Sequence, residues 1–226
     1  QVGALTATQV KAIETVDLAK FTAEQVAAIS TAAVSGLTTD QVVALTTAQA
    51  DKLTAAQMGA LSSAQVGAIE TADLAKLTTE QVAGISTAGV AGLTTTQMAK
   101  LSSDQLAALT TAQTAALSTA NIAALTTAQV DKLTTAQVAA LTTTQVKAMD
   151  AEDVAKLTTD QVGALTTANV VALTTAQAAV ITSAQVGALS TAQVRALETA
   201  DLAAMTTAAV ASLSSDQATA LTTAQV

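Results

Sequence analysis

The chain of 226 residues contains no cysteine, histidine, proline, tryptophan or tyrosine, and its single aromatic residue is Phe21. Without cysteine no disulfide forms, and without histidine or cysteine the usual general base, thiolate nucleophile and zinc ligands are missing. No serine or threonine has a histidine partner to activate it. We therefore expect no enzymatic activity, no catalytic, cofactor-binding or metal-binding residues, and no cofactor.

Positive charge is also scarce, with nine Lys and Arg residues against seventeen Asp and Glu, a net charge of −8. Nucleic acid binding requires clustered cations, and single strands also stack on aromatic side chains. The sequence therefore predicts no nucleic acid partner. The acidic group Asp150, Glu152 and Asp153 lacks the spacing of a calcium-binding loop, so we expect no specific calcium site there either.

A membrane-spanning segment is not expected, although the mean hydropathy is +0.48. The longest uncharged stretch, residues 161–194, carries Thr and Gln in almost every eight residues, and these polar groups are costly in lipid. The chain begins at Gln1 inside a repeat and shows no signal peptide. The absence of cysteine favours an extracellular or cell-surface location.

The dominant feature is a repeat of eight residues. Stepping by eight from Leu5 to Leu221 always meets a large apolar residue, and a second apolar position lies five residues later, beginning at Val10. The consensus octad is L-T-T-A-Q-V-A-A, and 28 copies fit without an insertion. We interpret residues 1–226 as a single continuous array, a segment of a longer one.

This period excludes one long helix, because eight residues at about 100° each leave a drift of about 80° per octad. A coiled coil needs a mean spacing near 3.5 residues. In a strand, apolar residues five and three apart would lie on opposite faces. The threonine content nevertheless leaves a β-solenoid open as the alternative fold.

One short helix per octad uses every position. Thr6 is the N-cap and Gln9 is residue N3, which together form a capping box, while Leu5 and Val10 are the partners of a hydrophobic staple. In four octads the N-cap is acidic and N3 is aspartate; the pairs are Glu14 with Asp17, Glu70 with Asp73, Asp150 with Asp153, and Glu198 with Asp201. Asp73 with Lys76, and Asp153 with Lys156, are predicted to form surface ion pairs.

The charges support this interpretation. Fifteen of the seventeen acidic residues fall at the N-cap, N2 or N3 positions, and all nine basic residues fall at the fifth or sixth helical position. Helix N-termini favour anions and C-termini favour cations. Only Asp51 and Asp131 break the rule. Each octad is therefore predicted to begin a new helix.

A single octad buries too little to fold alone, so the octads must stack. Lysines from Lys20 to Lys156 recur at a mean interval of 3.4 octads. If this interval reflects the geometry of the array, one turn takes about 27 residues. Segmental duplication is the alternative explanation of the same interval. The predicted fold is an all-α solenoid, a superhelical rod of very short helices with about 3 to 4 octads per turn. Its interior is expected to hold Leu, Val and Ala, with no cavity for a small-molecule substrate.

Two resemblances follow from these motifs. The stretch Leu37–Leu45, LTTDQVVAL, is similar to the opening of transcription-activator-like effector repeats over nine residues only, and DNA binding does not carry over. The whole chain resembles the L-T-x-x-Q-[VI]-x-A octapeptide tracts of large bacterial secreted and surface proteins of the adhesin type. That resemblance implies a rigid extracellular filament or surface stalk that assembles with itself. The open alternative is a binding surface, such as an ice-binding or adhesive hydroxyl lattice or O-glycosylated Thr and Ser.

Overall fold

The computed structural model describes all 226 residues, and every regular element is helical. A 3-10 helix, Val2–Ala4, precedes 27 α-helices of four to six residues, one per octad. The β-solenoid alternative is therefore wrong, and the prediction of one short helix per octad is confirmed. In chain order the helices α1 to α27 are Ala7–Lys11, Thr15–Leu18, Ala23–Ala27, Thr31–Val34, Thr39–Val43, Thr47–Ala50, Ala55–Ala60, Ser63–Ala68, Thr71–Leu74, Thr79–Gly84, Thr87–Val90, Thr95–Lys100, Ser103–Ala107, Thr111–Ala116, Thr119–Ala123, Thr127–Val130, Thr135–Ala140, Thr143–Ala148, Ala151–Lys156, Thr159–Ala164, Thr167–Val171, Thr175–Ala178, Ser183–Ala188, Thr191–Ala196, Thr199–Ala204, Thr207–Ala211 and Ser215–Thr219.

Each α-helix follows an N-cap residue in extended backbone. A complete capping box is present in nineteen helices. In α7, for example, the Thr54 hydroxyl accepts from the Gln57 N–H, and Gln57 Oε1 accepts from the Thr54 N–H. Leu61 then returns to extended backbone and precedes the next helix. No residue has a positive φ, so the chain turns between helices without a left-handed residue.

The chain divides into two compact units, unit 1 (Gln1–Ala124) and unit 2 (Leu125–Val226). Within each unit a helix packs against the third helix along the chain, as α7 does with α10 in unit 1 and α20 with α23 in unit 2. A β-carbon added to Gly84 would lie 2.6 Å from the Ala55 carbonyl oxygen, and one added to Gly59 would lie 2.9 Å from that of Gly84. Gly84 thus lies over the part of the preceding turn between Ala55 and Gly59. Each unit is an α-solenoid, with 3 to 4 octads per turn as predicted.

The interior contains the predicted leucine and valine positions, but aliphatic residues do not fill it alone. Most N3 glutamines are at least 95% buried as well, so the expectation of an interior of Leu, Val and Ala is incomplete. In unit 1 a cavity of about 10 Å³ lies among apolar side chains, beside Ala50 and the buried Asp73. Its size suits about one water molecule. None of the helices has the length and hydrophobicity that a membrane-spanning segment needs.

Candidate functional site: the glutamine ladder and the acidic octads

A row of glutamines, all buried except the half-buried Gln225, joins successive turns of the solenoid within each unit. We call these residues the glutamine ladder; they are Gln41, Gln49, Gln57, Gln65, Gln81, Gln97, Gln105 and Gln113 in unit 1 and Gln161, Gln177, Gln185, Gln193, Gln217 and Gln225 in unit 2. The side-chain amide of each donates to the carbonyl oxygen of the residue 28 positions earlier, which is the large apolar residue before a helix. Each unit therefore contains its own series of rungs, with one rung in most octads.

The side-chain amide of a ladder glutamine acts at both of its ends, and Gln57 illustrates the geometry. Its Oε1 accepts from the Thr54 N–H at 2.7 Å, and its Nε2 donates to the Ile29 carbonyl at 2.7 Å and to the Val26 carbonyl at 3.1 Å. The residue is 2% exposed. One side chain thus satisfies an N–H at the start of its own helix and carbonyl groups that belong to the preceding turn.

This arrangement stabilises stacking because buried backbone groups are costly without partners. The carbonyl oxygen of Ile29 accepts only from Gln57, and an unpaired buried carbonyl costs about 1–3 kcal/mol. The short helices cannot satisfy such groups themselves, since their end carbonyls have no intrahelical donor. The ladder glutamine is therefore a stacking residue as well as a capping residue.

The octad pattern predicts only the capping half of this role. The bond to the preceding turn leaves one signal in the sequence. A capping box accepts Glu as readily as Gln at N3, yet none of the six glutamates occupies N3. Glutamate lacks the amide N–H₂ that donates to the preceding turn. Asparagine does appear at N3, and the Asn121 and Asn169 side chains still donate to the residue 28 positions earlier, Leu93 and Leu141, at 2.9 and 2.8 Å.

The four acidic octads interrupt this pattern. Their N-cap carboxylates, on Glu14, Glu70, Asp150 and Glu198, make no capping hydrogen bond. Three of the N3 aspartates are buried, with exposed fractions of 3% for Asp73, 4% for Asp153 and 1% for Asp201.

The predicted ion pairs of Asp73 with Lys76 and of Asp153 with Lys156 are wrong, because these aspartates turn inward while the lysines stay exposed. Exposed ion pairs form instead between Asp17 and Lys20 at 3.0 Å and between Asp131 and Lys132 at 2.9 Å. Asp17 shows that the i,i+3 pair is possible where the N3 position is exposed. Such pairs contribute little to stability.

Burial perturbs two of the N3 carboxyl groups. Desolvation raises the pKa of Asp153, and the neighbouring Asp150 and Glu152 raise it further. Desolvation also raises the pKa of Asp201, with a further increase from Glu198, although a hydrogen bond from Thr175 acts in the opposite direction. The Oδ2 atom of Asp201 is buried without any hydrogen-bond partner. No group of three or more Asp or Glu side chains is placed to share a metal ion.

The surface of unit 1 separates charged from uncharged residues. Its charged residues fall in the segments 11–24, 40–52, 70–80 and 100–104. These segments begin at intervals close to one turn of the solenoid, so the charges gather on one side of unit 1. In the uncharged segments 25–39, 53–69, 81–99 and 105–124 the exposed residues are Thr, Ser and Ala, apart from Gln25.

Short capped helices, repeat-spaced packing and a ladder of buried amides define a tandem-repeat α-solenoid. The model of the ALTTAQ repeat family matches residues 10–47, 66–103, 114–143, 132–167, 154–191, 167–199 and 194–226 in tandem. The chain belongs to the ALTTAQ repeat family. No curated protein sequence matches it.

Proposed function

We propose that this chain is a non-enzymatic structural element, a rigid extracellular filament or surface stalk of a bacterial adhesin-like protein. The observation that carries this proposal is the glutamine ladder, which within each unit fastens one turn to the next through buried hydrogen bonds to backbone groups. Contacts of this kind recur along an array and involve only adjacent turns, so stability grows with the number of turns. A spacer requires this property, and it requires no active site.

Self-association, end to end or side by side, is the partner we propose. The net charge of −8 opposes contact between charged faces, and the uncharged side of unit 1 offers a surface where that repulsion is smallest. Electron microscopy of the purified protein and of the native assembly tests this directly. We expect filaments with a regular axial repeat; particles that stay monomeric and globular at all concentrations would contradict assembly.

Location is tested separately. Antibody labelling is expected to stain intact source cells as strongly as permeabilised ones. Labelling that requires permeabilisation would refute a surface stalk, and substrate turnover by the purified chain would refute a purely structural role.

The uncharged side of unit 1 also supports a second candidate, a binding surface for ice or for an uncharged partner. Its exposed threonine and serine hydroxyls recur with the turn of the solenoid. A matched pair of variants separates this candidate from the first: Thr95→Lys adds a charge to an uncharged segment, and Thr79→Lys adds one to a charged segment. If the surface binds ice, thermal hysteresis is present and falls only in Thr95→Lys. No hysteresis at high protein concentration excludes ice binding.

A further inference from the structure

We propose that Asp153 and Asp201 are proton-operated contacts in unit 2: as neutral carboxylic acids they donate to the carbonyl oxygens of Leu125 and Leu173, and as carboxylates they release them. Each leucine precedes its aspartate by the same interval that separates Leu141 from Asn169, which is where a ladder residue finds its acceptor. The proposal goes beyond the structural role above and does not depend on it.

The geometry comes from the asparagines at the same position. Asn169 Nδ2 donates to the Leu141 carbonyl at 2.8 Å, so a side chain one carbon shorter than glutamine still reaches the preceding turn. Aspartic acid has the same shape as asparagine, and its protonated oxygen is a donor where the ionised group has only acceptors. A neutral Asp201 can therefore replace the missing amide.

The two proposed acceptors have no hydrogen-bond donor in the structure. The carbonyl oxygens of Leu125 and Leu173 receive no backbone or side-chain hydrogen bond, although both residues are buried. Asp201 Oδ2 is likewise buried without a partner. A carboxylate beside such a carbonyl places two acceptors together, which repel each other, whereas one proton converts the pair into a hydrogen bond.

The surrounding charges favour the proton. Asp201 lies near Glu198, the N-cap residue of its helix α25. Helix α22, which packs against α25, contributes only the Thr175 hydroxyl, whose hydrogen bond favours the carboxylate. Around Asp153 the nearby charges are Asp150 and Glu152.

Helices α16 and α22 pack against α19, which carries Asp153. Helix α22 has no titratable residue, and Asp131 after α16 is paired with Lys132. Lys156 in α19 makes no ion pair with Asp153. Burial therefore raises the pKa of both carboxyl groups, and the nearby negative groups raise it further.

The sign of the pH effect follows from linkage. A carboxyl group whose pKa is higher in the folded than in the unfolded chain contributes its full stability below the unfolded pKa, about 4, and loses it as pH rises through the folded pKa. Unit 2 is therefore most stable in mild acid and is weakened at these two octads toward neutral pH.

The test compares two double variants that each remove two negative charges. Asp153→Asn with Asp201→Asn supplies the amide donor permanently, while Asp160→Asn with Asp216→Asn alters two exposed N2 positions of the same unit. Urea unfolding of the full chain, followed by circular dichroism, is measured from pH 4.5 to 8. The wild type and the exposed double variant should lose stability together as pH rises. The stability of the buried double variant should not change with pH. At pH 8 its unfolding equilibrium constant should be smaller than theirs, by roughly tenfold for each pH unit by which folding raises the pKa of an aspartate in the wild type.

Two results would overturn the proposal. One is a buried double variant that follows the exposed one at every pH. The other is a wild type that gains stability at pH 8 with calcium and loses it with a chelator, since a cation would then fill the place assigned to the proton. Carboxyl ¹³C titration of the wild type gives an independent reading: Asp153 and Asp201 should titrate above the exposed aspartates, and titration with them would also contradict the proposal.

Discussion

Replacing Gln57 by glutamate removes the amide donor from the ladder while keeping the shape of the side chain and its capping oxygen. Three hydrogen bonds are lost, to the carbonyl oxygens of Ile29 at 2.7 Å, Val26 at 3.1 Å and Ala27 at 3.2 Å, and a carboxylate takes their place at a site that is 2% exposed. The lost bonds contribute about 1 kcal/mol each. An unpaired buried charge brings the total to about 3–5 kcal/mol near pH 7.5.

The first turn of the solenoid provides a matched control. Gln25 also caps its helix, with Oε1 accepting from the Thr22 N–H at 2.8 Å, but its side chain is exposed and donates to no carbonyl of another turn. Gln25→Glu makes the same chemical change without removing a rung. We expect it to alter stability by less than about 0.5 kcal/mol.

The assay is urea unfolding at pH 7.5 and pH 4.5, followed by far-ultraviolet circular dichroism because the chain lacks tryptophan and tyrosine. At pH 4.5 the carboxyl group introduced at position 57 becomes protonated and can donate again, so much of the loss in Gln57→Glu should be recovered. If Gln57→Glu costs no more than Gln25→Glu at pH 7.5, the ladder does not hold adjacent turns together, and the reasoning fails.

Two further pairs of variants test the cap and the close approach of turns. Thr78→Ala removes the hydroxyl that accepts from the backbone N–H of Gln81 at 3.2 Å and should lower the free energy of unfolding by about 1 kcal/mol. Thr79→Ala, at the exposed N1 position, should change the melting temperature little. Gly92→Ala places a β-carbon 2.1 Å from the Ser63 carbonyl oxygen and should destabilise by about 1–3 kcal/mol. Gly187→Ala meets no atom within 4 Å and should stabilise by about 0.5–1 kcal/mol, so equal melting temperatures for the two glycine variants would contradict the described packing.

Local rules account for the parts of the fold that the sequence predicts. The capping box of Thr54 and Gln57 lies within four residues, and the hydrophobic staple lies within six, so both can be recognised in one octad. The cap and the staple depend on short-range geometry that repeats in every copy. The lysine spacing also predicts 3 to 4 octads per turn, but segmental duplication explains the same spacing, so the sequence does not determine that number alone.

The glutamine ladder and the buried aspartates could not be predicted in the same way. The bond from Gln57 to Ile29 joins residues 28 positions apart, and nothing within an octad indicates which carbonyl lies above it. Asp73 and Lys76 have the spacing of a surface ion pair, and only the stacked neighbouring turn buries the aspartate. Long-range packing therefore gives the N3 glutamines and aspartates contacts that their local pattern does not indicate, because capping and surface ion pairing already explain that pattern.

The ladder step also bears on how such an array grows. Within unit 1 the segment 13–42 recurs as a near copy at 69–98, displaced by seven octads, which is twice the 28-residue interval that each ladder bond spans. Gln41 donates to the carbonyl of Ile13, and Gln97 donates to that of Ile69, so the copy occupies the same structural position two turns later. Gene duplications of seven octads preserve which side chains face solvent together, whereas a gain or loss of a single octad rotates everything that follows.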